Sequence, residues 1–296
     1  MSHLTFTLIQ TNLHWEEKAA NLQMLEEKIN SIQHPTQIIV LPEMFNTGFS
    51  MKPEELAEDM NGPTVAWMKR MAAEKRVIVT GSLMVREEMA QAGETGPTLK
   101  YFNRLIWMLP NGQYGVYDKR HLFGYADEDK HYTAGSKRLI ASVNGWKINL
   151  QVCYDLRFPV WARQQASRIS TPLDTPNPSF DSAQDSTSAQ DSTPEYDVLI
   201  YVANWPDRRV HAWKTLLTAR AIENQCYVIG VNRTGDDGNG IYHSGNSMVI
   251  DAMGEVLYEK EHAEDVYTIT LSKEKLEETR HELPFLKDGD AFSILL

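Results

Sequence analysis

Residues 150–159 read LQVCYDLRFP, and the fold turns on how that decapeptide is parsed. The alternating apolar positions of INLQV (148–152) have the period of a strand and stop at Cys153. Six residues on, Pro159 opens PVWARQQ. Proline suits the first position of a helix, where its missing N–H would have had no partner. The reading is therefore strand, tight turn, helix, with Cys153 on the bend. A thiol placed so is held clear of the sheet near the positive end of a helix dipole, which favours the thiolate. The commonplace alternative for a lone cysteine after a strand is a small buried hydrophobe.

Outward from this unit the same rhythm repeats. LTFTLIQ (4–10) alternates like a strand, and HWEEKAANLQMLEEKINSI (14–32) carries Trp15, Leu22, Leu25 and Ile29 at helical spacing. QIIVLPE (37–43) is a short buried-type strand, TVAWMKRMAAEKR (64–76) a helix and VIVTGSLMV (77–85) a strand. KYFNRLIWMLPNGQYGVYDK (100–119) reads as a hairpin, since Asn111 and Gly112 tolerate the positive φ of a tight turn. A second Asn-Gly, Asn144 and Gly145, precedes WKINLQVC (146–153). Beyond the cysteine follow the strand YDVLIYVANW (196–205), the helix RVHAWKTLLTARAIENQ (209–225) and the strand CYVIGVNR (226–233). A hairpin, GNSMVIDAMGEVLYE (245–259), the strand DVYTITL (265–271) and a charged helix from Ser272 complete the chain. Strands alternating with helices, plus hairpins, imply one α/β layered domain with mixed sheets. Residues 170–194 break the pattern: SAQDST at 182–187 repeats at 188–193, and almost no side chain there is apolar. Such a stretch cannot offset the entropy of ordering, so it is expected to be a low-complexity surface insertion.

The 296 residues carry a formal charge of -11, which argues against a nucleic-acid groove or an anionic membrane as partner. No stretch has the apolar length of a membrane span, and MSHLTFTLIQ lacks the pattern of a signal peptide; the expectation is a soluble, cytoplasmic protein. The two cysteines, Cys153 and Cys226, cannot make a disulfide framework and lie in no metal-type cluster. Structural zinc is therefore not expected.

A nucleophilic thiol needs a base. None of the nine histidines stands in a setting that singles it out. A carboxylate serves instead if burial raises its pKa toward neutrality, and Glu43, directly after IIVLP, is a candidate. Lys119 follows a strand beginning at Tyr114, and Glu128 lies in the acidic segment ADEDKHYTAG (126–135). Each has an ordinary alternative as a solvated surface charge. What joins them is position: Glu43, Lys119 and Cys153 each follow an apolar strand, so all three could open on one edge of the sheets.

LPEMFNTGF (41–49), YDKRHLF (117–123) and CYDLRFP (153–159) resemble, in order and separation, the catalytic blocks of the nitrilase superfamily of carbon–nitrogen hydrolases. ANWP (203–206) resembles the strand end that follows them. Within that superfamily, QVCYDLRFPVWAR, the segment 201–233 and PFLKDGDAF (284–292) are most similar to the ω-amidases. The resemblance implies a four-layer αββα sandwich with mixed sheets and a Glu-Lys-Cys triad. Cys153 is then the nucleophile, Glu43 the general base, and Lys119 and the Tyr154 N–H the oxyanion donors. Glu128, seven residues before Gly135, corresponds to a second glutamate near the lysine. It further implies a small dicarboxylic acid monoamide as substrate, no cofactor, and a homodimer. Arg157, Arg208 and Arg209 are candidates for the substrate carboxylate, and Phe45, Tyr125, Phe158 and Trp205 for the pocket wall. Two other readings stay open: the same fold acting on a nitrile, an N-carbamoyl amine or by acyl transfer, and a scaffold whose insertion binds a protein.

Overall fold

A computed structural model describes residues 2–89, 97–164, 194–290 and 292–294. The segment read as an insertion therefore lies outside the described residues, Pro194 excepted.

The N-terminal half supplies five of the six strands of one sheet. Its elements are β1 (His3–Gln10), α1 (Lys18–Asn30), β2 (Ile38–Val40), α2 (Pro53–Leu56), α3 (Pro63–Lys75), β3 (Ile78–Met89), β4 (Thr98–Met108) and β5 (Tyr114–Asp118). The second half contributes α4 (Glu128–His131), β6 (Leu139–Val143), β7 (Trp146–Val152), α5 (Pro159–Ala162), β8 (Val198–Ala203), α6 (Val210–Asn224) and β9 (Tyr227–Asn232). Then follow β10 (Thr234–Asp236), β11 (Tyr242–Ile250), β12 (Val256–Glu261), β13 (Asp265–Ser272) and α7 (Lys273–Glu282). The first sheet has the order β13-β1-β2-β3-β4-β5, and the second β10-β11-β9-β8-β7-β6 with β12 beside β11. Both are mixed: β1, β2 and β3 run parallel, as do β7, β8 and β9, while the outer pairs are antiparallel.

The alternation of side chains sets the layers. In the first sheet Leu4, Phe6, Leu8, Ile38, Val40, Leu105 and Trp107 turn toward the second sheet and share a core with Trp146, Ile148 and Leu150. Their neighbours Ile9, Ile39, Val79, Ile106 and Met108 turn the other way, onto Leu25 and Ile29 of α1 and Val65, Met68 and Met71 of α3. Trp213, Leu217 and Ala221 of α6 cover the outer face of the second sheet. The result is the αββα order the resemblance implies. Each fully buried Leu, Ile or Phe contributes roughly 1.5–3 kcal/mol of transfer free energy.

Three local expectations need correction. Trp15 is outside α1, which begins at Lys18; it lies against Gly48 and Gly238 instead. In the β4–β5 hairpin only Gly112 has positive φ (80°), and Leu109 N bonds Gln113 O at 2.8 Å, so the loop is longer than a two-residue turn. The β6–β7 hairpin does have the two-residue form, with Asn144 at φ 51° and Gly145 at φ 82°. The helix opened by Pro159 runs only to Ala162.

The strand directions position the site. Because β4 is antiparallel to β3 and β5 to β4, β5 points the same way as β2 and β3. Glu43, Lys119, Cys153 and Asn204 follow the carboxyl ends of β2, β5, β7 and β8, the end where open α/β sheets take their ligands. Among the described residues no helix is long and apolar enough to cross a membrane.

Candidate active site

Glu43, Lys119 and Glu128 meet with no exposure at all, which overturns the solvated alternative for each. Lys119 Nζ donates to Glu43 Oε1 at 2.9 Å and to Glu128 Oε1 and Oε2 at 3.0 and 2.9 Å. Asn103 Nδ2 bridges the two carboxylates, at 2.8 Å from Glu43 Oε1 and 3.2 Å from Glu128 Oε1. The second sheet closes the cluster: Asn204 N donates to Glu43 Oε2 at 2.8 Å, and Asn204 Nδ2 to the Glu43 carbonyl at 2.6 Å. Phe123 N donates to Glu128 Oε2 at 2.6 Å. Burial favours the neutral amine of Lys119, but Glu128 and Glu43 outweigh it and hold the pKa above the usual lysine value. For Glu128 burial dominates and raises the pKa despite Lys119.

The end of β5 is held by a close backbone approach. Gly135 N bonds the Lys119 carbonyl at 2.9 Å, and a Cβ on Gly135 would stand 2.1 Å from the Asp118 carbonyl oxygen. Only glycine fits there.

Cys153 begins a 3-10 turn with φ 45°, unusual for a residue with a side chain. The residue is 9% exposed and lines a cavity of about 560 Å³ that Lys119 also lines. Burial, then the Glu43 carboxylate, push the thiol well above the ordinary range, and Lys119 opposes this only partly. The expected thiolate is thus replaced by a resting S–H: the helix that was to favour the anion is a four-residue turn starting at Pro159, too short and too far along the chain to offset desolvation.

The cavity wall separates the remaining candidates. Tyr125, Tyr154, Arg157, Trp205, Arg208 and Arg209 line it. Phe45 does not. It is buried in the core against Trp67, with ring centroids 5.9 Å apart, and a Cβ on Gly81 would touch its ring. Phe158 stacks on His121 at 3.7 Å, away from the wall. The three arginines each cover an aromatic face: Arg157 on Trp205 (5.0 Å), Arg208 on Tyr125 (6.0 Å) and Arg209 on Phe123 (5.1 Å). None of them has a carboxylate partner among the described residues. Desolvation, then Arg208, pull the Arg209 pKa below its usual value.

Sequence reasoning missed several participants. Asn103 was signalled by its chemistry, an amide inside the apolar strand YFNRLIWM. Phe49, whose ring lies 5.1 Å from Lys119 Nζ, and Phe123 sit in turns without periodicity. Asp155 and His121, paired at 2.8 Å, share an offset of two residues from Cys153 and Lys119.

Residues 5–174 and 181–281 match the carbon–nitrogen hydrolase family. The chain belongs to that family. Among relatives of this carbon–nitrogen hydrolase, the omega-amidase YafV of Yersinia enterocolitica is 38% identical over all of both chains. The 2-oxoglutaramate amidase of Bacillus subtilis is 29% identical over 96% of each. A solved structure from Xanthomonas campestris, XC1258, a CN-hydrolase superfamily protein with an arsenic adduct in its active site, superposes with a TM-score of 0.87. It is 39% identical and covers 99% of this chain and 100% of its own. The fold is therefore that of the nitrilase superfamily and the protein is an enzyme of carbon–nitrogen bond hydrolysis.

Proposed function

We propose that the protein is an amidase that hydrolyses the terminal amide of a small dicarboxylic acid monoamide such as 2-oxoglutaramate and releases ammonia. The observation that carries this reading is one cavity shared by Cys153, Lys119 and three arginines without carboxylate partners. Buried Lys119, half-buried Arg209 and the exposed Arg157 and Arg208 gather positive charge around one cavity, which favours a ligand that brings its own carboxylate, and arginine binds that group bidentately. The relatives named for ω-amide hydrolysis support the same substrate class.

In the proposed cycle Glu43 takes the proton of the Cys153 thiol as sulfur attacks the amide carbonyl. This suits a resting S–H whose pKa is raised by burial and by that carboxylate. Charge moves onto the carbonyl oxygen, beside the Lys119 ammonium and the Tyr154 N–H, in a site shielded from bulk water. Protonated Glu43 then returns its proton to the departing nitrogen, and ammonia leaves a thioester on Cys153. Water, deprotonated by Glu43, attacks the thioester; the acid is released as the proton goes back to sulfur. Glu128 shares Lys119 with Glu43 and keeps the ammonium charged.

Ammonia release from 2-oxoglutaramate, measured beside a nitrile and an N-carbamoyl amino acid, tests the substrate class. Preference for either of the latter sinks it. Cys153→Ala should fold and release no ammonia. We further propose a cytoplasmic homodimer formed by one domain spanning the chain. Both cysteines are free, as in a reducing compartment. Ile222 is exposed on α6 beside Gly254, next to the exposed Met253, and Val160 is exposed on α5. A monomeric mass in solution at micromolar concentration overturns the dimer.

A further inference from the structure

One buried carboxylate connects the two turns that carry the reacting groups. Asp155 has no exposure. Its Oδ1 accepts from His121 N at 2.9 Å and pairs with His121 Nδ1 at 2.8 Å. Its Oδ2 accepts from Tyr117 OH at 2.7 Å and Val152 N at 3.1 Å. Val152 immediately precedes Cys153, and His121 lies two residues beyond Lys119. The four donors thus come from the end of β5 in the first sheet and the end of β7 in the second. Tyr117 OH in turn accepts from Trp161 Nε1 at 2.9 Å and Arg120 N at 3.3 Å, and the His121 ring is sandwiched flat on Phe158.

The rest of the cluster does not supply this link. Lys119 is held by Glu43 and Glu128, and neither of them is on the Cys153 turn. Cys153 is itself in the left-handed region, a conformation of about 1–2 kcal/mol cost that persists only where its surroundings fix it. A carboxylate saturated by donors from both turns does so.

We propose that Asp155 is a positioning residue for the reaction: with His121 and Tyr117 it sets the separation of the Cys153 sulfur and the Lys119 ammonium. This rests on the amidase reading of the same site. Asp155 touches no reacting atom, so its effect is on the geometry of attack rather than on substrate affinity, and misplacement by about 1 Å costs on the order of 10²-fold in rate.

The test uses purified full-length protein and ammonia release from 2-oxoglutaramate. Asp155→Asn keeps the shape but presents an amide where two donors already point. Its kcat should fall about 100-fold with KM within about threefold, because only the transition-state geometry is disturbed. Tyr117→Phe removes one of the four donors and should lower kcat about tenfold, again without raising KM. Both are compared at a temperature where circular dichroism finds them folded. If Asp155→Asn does not fold, Tyr117→Phe alone decides. A kcat within about twofold of wild type in folded variants overturns the proposal. So does a loss that tracks the folded fraction. In either case an inactive Cys153→Ala leaves the amidase reading standing, whereas an active Cys153→Ala removes that reading and the proposal with it.

Discussion

Lys119 Nζ and Glu43 Oε1 form an ion pair at 2.9 Å in which neither side chain reaches solvent. Such a pair is costly to break from one side, since removal of one partner leaves an uncompensated buried charge worth about 3–5 kcal/mol. Lys119→Met is expected to leave Glu43 and Glu128 facing each other, lower thermal stability by several degrees and reduce kcat on the order of 10³-fold or more. Thermal melts and ammonia assays on the same preparation check both halves. Wild-type kcat in a folded Lys119→Met would remove the lysine from the mechanism.

Arg157 and Arg209 should act on binding. Substituting either by Gln removes a charge-assisted contact worth about 1.5–3 kcal/mol, so KM for 2-oxoglutaramate should rise roughly 10- to 150-fold. The rate at saturation should change little. A neutral short amide lacks the carboxylate, and its kinetics should be the same in wild type and variants. Equal losses on both substrates would point to a packing role.

Gly135→Ala tests the clamp on the lysine strand. A methyl group 2.1 Å from the Asp118 carbonyl oxygen cannot be absorbed by a flexible side chain. The backbone must shift, at about 1–3 kcal/mol. Because Gly135 N also holds the Lys119 carbonyl, kcat should fall beyond the loss of folded protein.

His243 gives a signed pH effect. Desolvation, then Arg233, lower its pKa to about 4, although Asp237 and the backbone of Gly235 and Ile241 oppose this. In the unfolded chain the ring titrates near about 6.5. Below that value the unfolded state binds a proton that the native state refuses, so this stability is present above pH 6.5 and is lost as pH falls toward 4. The full loss is on the order of 3 kcal/mol. The drop in urea midpoint between pH 7 and 5 should be smaller in His243→Gln than in wild type. Identical drops would refute the assignment.

The strand ends were legible because an apolar run that stops at a polar residue marks where a buried strand meets solvent or a site. IIVLP before Glu43 and INLQV before Cys153 both did so. Proximity of residues 43, 119, 128 and 153 was not legible from periodicity, since it depends on how two sheets face each other; the resemblance supplied it. Turn residues were the least readable. Phe45 and Phe49 are four positions apart in one loop, yet the first packs under Gly81 and the second faces Lys119. No rule of spacing separates them. The thiolate expectation failed because a dipole argument was applied to a helix of four residues, while burial of the sulfur could not be seen in the sequence.

The hydrogen bonds from Asn204 to Glu43 cross from one sheet to the other. Turnover is therefore a gauge of how tightly the sandwich is closed. On warming, small slippage between the layers should silence the enzyme at temperatures where each sheet still keeps its own ladder, so inactivation should precede the loss of β-signal.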